Sequence, residues 1–267
     1  MIKLENAEVM GWEAAIRGMR NPMNSWEKSD SIFVGDGEYH DICGNSGPYN
    51  GTVTDTETFF EMGGNDLDLM KNLAKAGADH RKFMRMITVY VDITAPFYFW
   101  KEFSTYKVGT VANSCSTMHK LTAKPFSKDD FSHEHLCKVK DELMTEFNEF
   151  VGLENKVHNS PYRALDDVIE ELNQWRDFYL CYKKRSDADP EKVKKIWWQM
   201  IQLLPSSYNQ RRTVMMNYEV LANIYKSRRN HKLDEWHTFC DWIESLPYSE
   251  LITSEFDKPG VDKNESI

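Results

Sequence analysis

The sequence DITAPFYFWKEFSTYKVGTVANSCSTMHKL, residues 92–121, joins an apolar run directly to a dense polar segment. It contains six aromatic residues, too many for a surface loop, and it ends in hydroxyl, amide, thiol and basic side chains that a core element would not carry. Residues 84–93 are rich in β-branched and aromatic side chains and predict a strand, and Phe97–Phe103 predicts a helix. We therefore expect a binding site where these elements give way to the polar segment.

Upstream of this stretch, residues 3–10 predict a strand and residues 12–20 a helix that Asn21-Pro22 ends. Residues 21–58 are loop-rich in composition, and their fragments SIFVG and GTVTDT predict a hairpin. Asn65-Asp66 is expected to cap a helix that ends at Gly77.

The chain is predicted to be largely helical from residue 128 onward. The expected helix starts lie near Ser127 and Ser132, at Ser160-Pro161, at Asp189-Pro190, at Thr213 and at Asp234. The helix that starts at Thr213 is expected to run to Arg228. The polar tail, 253–267, is expected to be disordered.

The bulk composition is that of an ordinary globular protein. The 267 residues are 41% hydrophobic and 28% charged, and they carry a formal net charge of −9. We predict one domain over residues 1–252, with inserted segments near 21–58 and 125–190. The negative charge argues against bulk nucleic-acid binding but leaves room for a nucleotide pocket with two or three local cations. No membrane span is predicted, and the N-terminal sequence favours a cytoplasmic location.

The common catalytic signatures are missing from the sequence. It contains no G-x-G-x-x-G, G-K-[ST], H-E-x-x-H or G-x-S-x-G motif. His133 and His135 flank Glu134, but alternate residues point in different directions on a helix, so no shared metal ion is expected.

The stretch 92–121 resembles, without gaps, the segment that characterises flavin-dependent thymidylate synthases. In that family an apolar run after Ala-Pro leads to Arg-Gln, then to Arg-His-Arg, then to a loop with the sequence Ser-x-Arg-Tyr. Here Lys101-Glu102 stands for Arg-Gln, Thr105-Tyr106-Lys107 for Arg-His-Arg, and 115–118, Cys-Ser-Thr-Met, for Ser-x-Arg-Tyr.

Further matches lie outside this stretch, and together they extend over residues 60–121 and 196–245. The family has a His ahead of the strand, a Leu-Pro, a helix with two Asn residues six apart, and an Arg five positions later. The corresponding residues are His80, Leu204-Pro205, Asn217, Asn223 and Arg228.

The resemblance implies an α/β fold in which helices flank a mixed sheet, with a largely helical C-terminal half. It also implies a homotetramer whose flavin sites are shared between subunits, FAD as cofactor, and NADPH and methylenetetrahydrofolate as co-substrates. The implied cofactor-binding residues are His80, Tyr106, Lys107, Asn217 and Asn223. The implied substrate-binding residues are Glu102, Thr105, Cys115, Ser116, Thr117 and Arg228. Because the flavin performs the central chemistry in this family, no catalytic side chain is assigned.

The same residues have alternative explanations. Asn is unfavourable inside a helix, so external ligands would explain Asn217 and Asn223, whereas a solvated helix face is the structural alternative. Arg228 either clamps an anion or interacts with the helix dipole. Cys115 is either a nucleophile or, as we favour, a small buried residue.

Some charged residues of the family are replaced in this sequence, so the function stays open between three hypotheses. Thr117 and Ile201 stand where the family has arginines, and each lost charged hydrogen bond costs about 1.5–3 kcal/mol. The leading hypothesis is transfer of a one-carbon unit, as a methyl or hydroxymethyl group, to a pyrimidine deoxynucleotide. The alternatives are a relative without catalysis that acts as an oligomeric binding protein, and a flavoprotein reductase without methyl transfer.

Overall fold

The computed structural model describes residues 2–35, 37–49, 59–152 and 160–253. Backbone contacts divide the chain into two compact units. Unit 1 consists of Met1–Lys3, Ile93–Thr105 and Asn113–Arg212, and unit 2 of Leu4–Asp92, Tyr106–Ala112 and Thr213–Ile267. The single domain with two inserted segments stays a prediction.

The described residues form eight strands and ten α-helices. The strands are β1 (Lys3–Met10), β2 (Ile32–Gly35), β3 (Glu38–Asp41), β4 (Ser46–Pro48), β5 (Phe59–Glu61), β6 (Thr88–Pro96), β7 (Val111–Ser114) and β8 (Asn209–Asn217). The helices are α1 (Trp12–Arg20), α2 (Gly64–Lys75), α3 (Phe97–Phe103), α4 (Thr117–Lys120), α5 (Glu142–Phe150), α6 (Pro161–Lys183), α7 (Pro190–Leu203), α8 (Tyr218–Arg228), α9 (Asp234–Glu244) and α10 (Glu250–Thr253).

The strands form two four-stranded sheets, with the orders β1-β6-β8-β7 and β4-β3-β2-β5. Both sheets are antiparallel, where the sequence suggested one mixed sheet. The α/β class and the largely helical C-terminal half are confirmed, since β8 is the one strand of the described residues beyond residue 128.

The second sheet corrects the prediction for residues 21–58. The fragment SIFVG forms β2, but its hairpin partner is β3, and Phe33 lies opposite His40 on β3 and opposite Phe60 on β5. The turn between β2 and β3 includes Gly37 with φ of 78°, a conformation that glycine adopts without strain. The fragment GTVTDT lies outside the described residues.

The predicted cap of α2 is also wrong. The helix begins at Gly64, and Asp66 lies buried in its first turn instead of capping it. Asp66 accepts hydrogen bonds from Arg20 Nε at 2.7 Å, Ser29 Oγ at 2.6 Å and Ser31 Oγ at 2.7 Å. The carboxylate of Asp30 accepts the N–H groups of Asn65 and Asp66 and takes the place of the local cap. The ionic network of Asp66 joins α1 and the segment after it to α2.

Three of the helix starts in the C-terminal half are confirmed. Ser160 Oγ accepts the N–H of Arg163 at the start of α6, and Asp189 accepts that of Glu191 at the start of α7. In contrast, Ser127 caps only a 3₁₀ turn, Lys128–Asp130, and the next α-helix begins at Glu142. The helix at Asp234 is confirmed, and the tail beyond 253 lies outside the described residues.

The predicted helix Thr213–Arg228 is wrong in its first third. Residues Asn209–Asn217 form strand β8, in which Val214 and Met216 are buried and Thr213 is exposed. This alternation has the period of two that a strand requires. The helix begins only at Tyr218.

A core of aromatic and aliphatic residues holds the helices of unit 1 together. It is built by Leu121, Phe126, Phe131, Leu165, Leu172 and Met200. Leu165 and Leu172 come from α6 and Met200 from α7. None of the described helices is long and apolar enough to cross a membrane.

Replacement of Asp66 by Asn tests the network. Removing one partner of a buried ion pair is expected to lower the free energy of unfolding by about 3–5 kcal/mol at pH 7. Chemical denaturation measures this, and Asp68→Asn on the exposed side of α2 is the matched control.

The pH dependence of the free energy of unfolding gives a second test, with wild type and Asp66→Asn compared. Burial raises the pKa of Asp66, but hydrogen bonds from Ser29, Ser31 and Arg20 outweigh burial and lower it. A lowered pKa means that the stabilisation is present above the unfolded-state pKa, about 3.9, and is lost as pH falls through the folded-state value. The difference between wild type and D66N should therefore shrink in acid, and a constant difference would contradict the assignment.

Candidate functional site

In unit 2, the segment Tyr106–Ala112 contacts both ends of helix α8. At one end, Arg228 Nε donates a hydrogen bond of 2.9 Å to the Tyr106 hydroxyl. At the other end, a Cβ on Gly109 would lie 2.9 Å from Asn217 Nδ2. Asn217 and Arg228 are eleven positions apart, about three helical turns, so they lie on the same side of α8. The structure thus brings together three regions that the sequence assigned to one site.

Two aromatic rings fix the guanidinium of Arg228. Its Cζ lies 4.8 Å from the centre of the Trp236 ring on α9 and 5.7 Å from that of Tyr106. Trp236 is fully buried and meets Tyr106 edge to face, with the ring centres 6.1 Å apart. Arg228 therefore has specific partners beyond the helix dipole, and the plane of its guanidinium is set before any ligand binds.

Asn217 is a helix cap, so the argument that it is an unfavourable residue inside a helix is wrong. Its Oδ1 accepts the N–H of Val220 at 3.0 Å. Its Nδ2 points toward Gly109, whose φ of +75° and missing side chain allow the close approach. The Oδ1 of Asn217 therefore caps the helix, and its Nδ2 presents a hydrogen-bond donor to the segment Tyr106–Ala112.

The segment itself carries polar groups that suit a ligand. Thr110 Oγ1 is buried and has no hydrogen-bond partner among the described residues. Lys107 is exposed. A buried hydroxyl without a partner costs free energy that a ligand can recover.

The other two predicted cofactor residues differ in position. His80 is exposed and directly precedes Arg81, whose Nε lies 2.9 Å from the carboxylate of Glu219 in the first turn of α8. His80 is therefore held near the Asn217 end of the helix.

Asn223 is exposed on α8, turned about 120° away from Asn217 and about 140° away from Arg228. The structure does not bring Asn223 into the group that those two form.

In unit 1, the predicted substrate residues Glu102 and Thr105 lie at the C-terminal end of α3. Thr105 Oγ1 donates to the carbonyl of Glu102 at 2.8 Å, so this hydroxyl satisfies a carbonyl at the helix end.

The predicted substrate loop, 115–117, lies against strand β8. The N–H of Cys115 donates to the Arg211 carbonyl at 2.9 Å, and Gln210 Nε2 donates to the Cys115 carbonyl at 2.9 Å and to Thr117 Oγ1 at 3.1 Å. Ser116 Oγ accepts the N–H of His119 and caps α4. Cys115 is exposed, so its interpretation as a small buried residue is wrong.

This loop lines a cavity of about 210 Å³ to which Lys120 and Arg211 add two cations that the sequence analysis missed. The available signal was the pair Arg211-Arg212, because neighbouring residues of a strand point to opposite faces. Arg212 stacks on Trp100 with its Cζ 4.2 Å from the ring centre, and Arg211 lines the cavity. The alternation was not used because no strand was predicted at Arg211 and Arg212.

The absence of a metal site was argued from helical geometry, and that premise is wrong. Residues 132–141 are not helical, and His133 Nδ1 lies 2.9 Å from the Phe131 carbonyl. In the part of the chain that the structure describes, no group of three or more His, Cys, Asp or Glu side chains could hold a metal ion.

No family model matches the sequence, and no curated protein does so either. Solved structures do match the fold. One is thymidylate synthase X (ThyX) from Helicobacter pylori, in a crystal structure with FAD and dUMP, with a TM-score of 0.54 and 13% identity over 94% of this chain and 96% of that one. Another is the UMP/dUMP methylase PolB from Streptomyces cacaoi bound with 5-Br dUMP, with a TM-score of 0.52 and 13% identity over 96% of each chain. The chain therefore has the fold of the flavin-dependent thymidylate synthases, which confirms at the level of fold the resemblance seen in its sequence.

Proposed function

We propose that this protein is an enzyme that transfers a one-carbon unit, as a methyl or hydroxymethyl group, from methylenetetrahydrofolate to a pyrimidine deoxynucleotide. The observation that carries the proposal is the contact of the segment Tyr106–Ala112 with both ends of α8. Two structures of the same fold, crystallised with FAD and dUMP or with 5-Br dUMP, support it.

The residues of unit 2 fit an anionic, hydrogen-bonding cofactor such as FAD. Gly109 leaves room beside the Asn217 amide, Thr110 has a buried hydroxyl in need of a partner, and Lys107 is an exposed cation. Together with His80 and Tyr106, these groups would hold the cofactor. Bound FAD, reduced by NADPH, would supply the hydride that converts the transferred methylene unit into a methyl group, whereas a hydroxymethyl product would need water in place of hydride.

Arg228 orients the substrate in this proposal. A guanidinium can form two parallel hydrogen bonds to an oxygen-rich group, which fixes both position and angle. Tyr106 and Trp236 hold the Arg228 guanidinium in one plane, so less side-chain entropy is lost when the nucleotide binds. The buried Trp236 also keeps water from one face of the guanidinium.

The resemblance further implies a homotetramer. Val108 and Val111, both on the segment that contacts α8, are exposed by 90% and 61%. Apolar side chains beside a binding site are typical of surfaces that a partner covers. This supports an assembly in which another subunit covers the segment.

The runner-up function is a non-catalytic oligomeric binding protein. The observation in its favour is that Thr105 and Thr117 stand where the family has arginines. The absorbance of the purified protein separates the two functions, because the enzyme should carry, or bind on titration, a yellow oxidised flavin. A protein that leaves added FAD free in equilibrium dialysis would contradict the proposed enzyme.

Gly109→Ala tests where the cofactor binds. The added Cβ would crowd the Asn217 amide at a positive φ, and we expect FAD to bind at least about tenfold more weakly, equivalent to about 1.4 kcal/mol. Gly152→Ala is the matched control, since Gly152 also has a positive φ, 69°, but nothing lies within 4 Å of its Cβ position. Fluorescence titration with FAD measures both variants, and equal effects would refute the cofactor assignment.

Arg228→Lys tests the substrate role. The variant keeps the charge but loses the fork and the stacking on Trp236, so we expect KM for dUMP to rise about 10- to 100-fold. Tyr106→Phe removes only the hydrogen bond to Nε and should raise KM about 3- to 10-fold. Arg229→Lys, which stacks on Tyr225 instead, is the control. An unchanged KM in the Arg228 variant would rule out its contact with the substrate.

A further inference from the structure

Within unit 2, helix α1 and the second sheet form a cavity of about 650 Å³. Pockets that hold a small-molecule ligand measure about 300–1,000 Å³ and are lined mainly by apolar and aromatic side chains. The ring-bearing residues of this lining are Trp12, Phe33, Tyr39, His40, Phe59 and Phe60. The cavity therefore has the size and the lining of a ligand pocket, and its described lining includes none of the residues assigned above to cofactor or substrate.

Four of these rings form one row with nearly parallel planes. Phe33 lies between His40 and Phe60 on the sheet, with ring centres 5.2 and 5.0 Å away and planes tilted by 21° and 25°. Trp12 of α1 continues the row beyond Phe60, at 5.7 Å and 10°. Trp12 is buried, whereas the side chain of His40 is half exposed at the other end. The imidazole is therefore the end at which a further flat ring can join the row.

Two small residues keep the space around this imidazole open. Ser46 lies opposite His40 on β4, and Gly35 lies opposite Glu38 on β2. Paired residues of an antiparallel sheet point to the same face, so both positions belong to the face that carries the row of rings. Gly35 has no side chain, and that of Ser46 is too short to cover a ring. The outer face of the imidazole thus has room for a planar ligand.

The carboxylate of Glu38 gives this space a hydrogen-bond acceptor. Glu38 lies two residues before His40 on β3, so both side chains point to the same face, about 7 Å apart along the strand. Its exposed carboxylate has no hydrogen-bond or ion-pair partner in the part of the chain that the structure describes. Glu13 is different, because Arg17 Nη1 donates to its Oε1 at 3.2 Å, and its Oε2 lies 3.9 Å from His40 Nε2. The cavity therefore has one carboxylate that a ligand can use.

This carboxylate selects the edge of the ring that it meets. Its two oxygens only accept hydrogen bonds, so it pairs best with two adjacent N–H donors that point the same way. Among the common nucleobases, guanine presents such a pair in its N1–H and 2-amino groups, whereas adenine and cytosine place an acceptor nitrogen beside the amino group. The negative charge of Glu38 also disfavours a phosphate close to it.

We propose that this cavity binds a guanine base or nucleoside, which stacks on the outer face of His40 and donates its N1–H and 2-amino groups to Glu38. The proposal goes beyond one-carbon transfer and does not rest on it. It gives a role to strands β2, β3 and β4, which lie before the residues covered by the family resemblance.

Glu38 is tested by comparing guanosine with inosine, which lacks the 2-amino group. In isothermal titration of the full chain, the wild type should bind guanosine about 10- to 100-fold more tightly than inosine. Glu38→Gln replaces one acceptor oxygen by a donor, so the preference should fall below about threefold. Glu27→Gln, at an exposed position outside the cavity, is the control. A wild type without the preference, or a preference that survives in Glu38→Gln, would overturn the assignment of Glu38.

Stacking on His40 is tested with two variants. His40→Ala should weaken guanosine and inosine alike, by about 5- to 100-fold, and His40→Phe should restore most of the binding because it keeps a flat ring. Thermal unfolding of both variants shows whether the sheet stays folded. If both unfold at the wild-type temperature and His40→Phe binds as weakly as His40→Ala, the imidazole is not a stacking platform. A wild type that shows no saturable binding of guanosine overturns the whole proposal.

This proposal and the proposed function can fail independently. The Glu38 and His40 variants should bind FAD as the wild type does, since the residues assigned to the cofactor lie outside the described lining of the cavity. A wild type that binds guanosine but not FAD contradicts only the proposed function. One that binds FAD but not guanosine contradicts only the guanine site.

Discussion

The hydrogen bond from the Val220 N–H to Asn217 Oδ1 fixes the point at which β8 ends and α8 begins. Every side chain of α8 takes its direction from that point. A shift of the helix start by one residue would rotate the rest by about 100°, and Arg228, eleven residues on, would turn away from Tyr106. The same amide presents its nitrogen to Gly109. A single cap therefore sets both places where the segment Tyr106–Ala112 meets the helix.

The resemblance selected these residues by their spacing, and their role in one binding site stays a prediction. The physical argument for Asn217 failed because it assumed a helix from Thr213. Short apolar runs with β-branched residues suit a strand as well as a helix, and periodicity over so few residues does not separate them. The strand was recognisable only from its pairing with neighbours in the sheet, which lie far away in the sequence. Asn223 was assigned by spacing alone, and the structure places it on another side of α8.

A long-range partner explains why the predicted cap of α2 is wrong. Asp66 has the sequence context of a cap, but its charge is paired with Arg20, 46 positions earlier. No local pattern predicts such a pair. The hairpin of β2 and β3 was predictable from the local sequence, because the Asp-Gly dipeptide at 36–37 is a strong turn signal. The prediction instead paired β2 with the more distant fragment GTVTDT. Arg211 was missed for a third reason, because its opposite orientation to Arg212 follows only once the segment is known to be a strand.

The exchange of the family's histidine for Tyr106 changes how an arginine is held. A protonated histidine beside Arg228 would repel it, whereas the hydroxyl of Tyr106 accepts a hydrogen bond from its Nε. The phenol and the indole of Trp236 help to orient the guanidinium before a ligand binds. With fewer cations nearby, the positive charge of Arg228 also meets less electrostatic repulsion. In the proposed site, Tyr106 and Trp236 thus preorganise Arg228 at a place where the resemblance would lead us to expect a further positive charge.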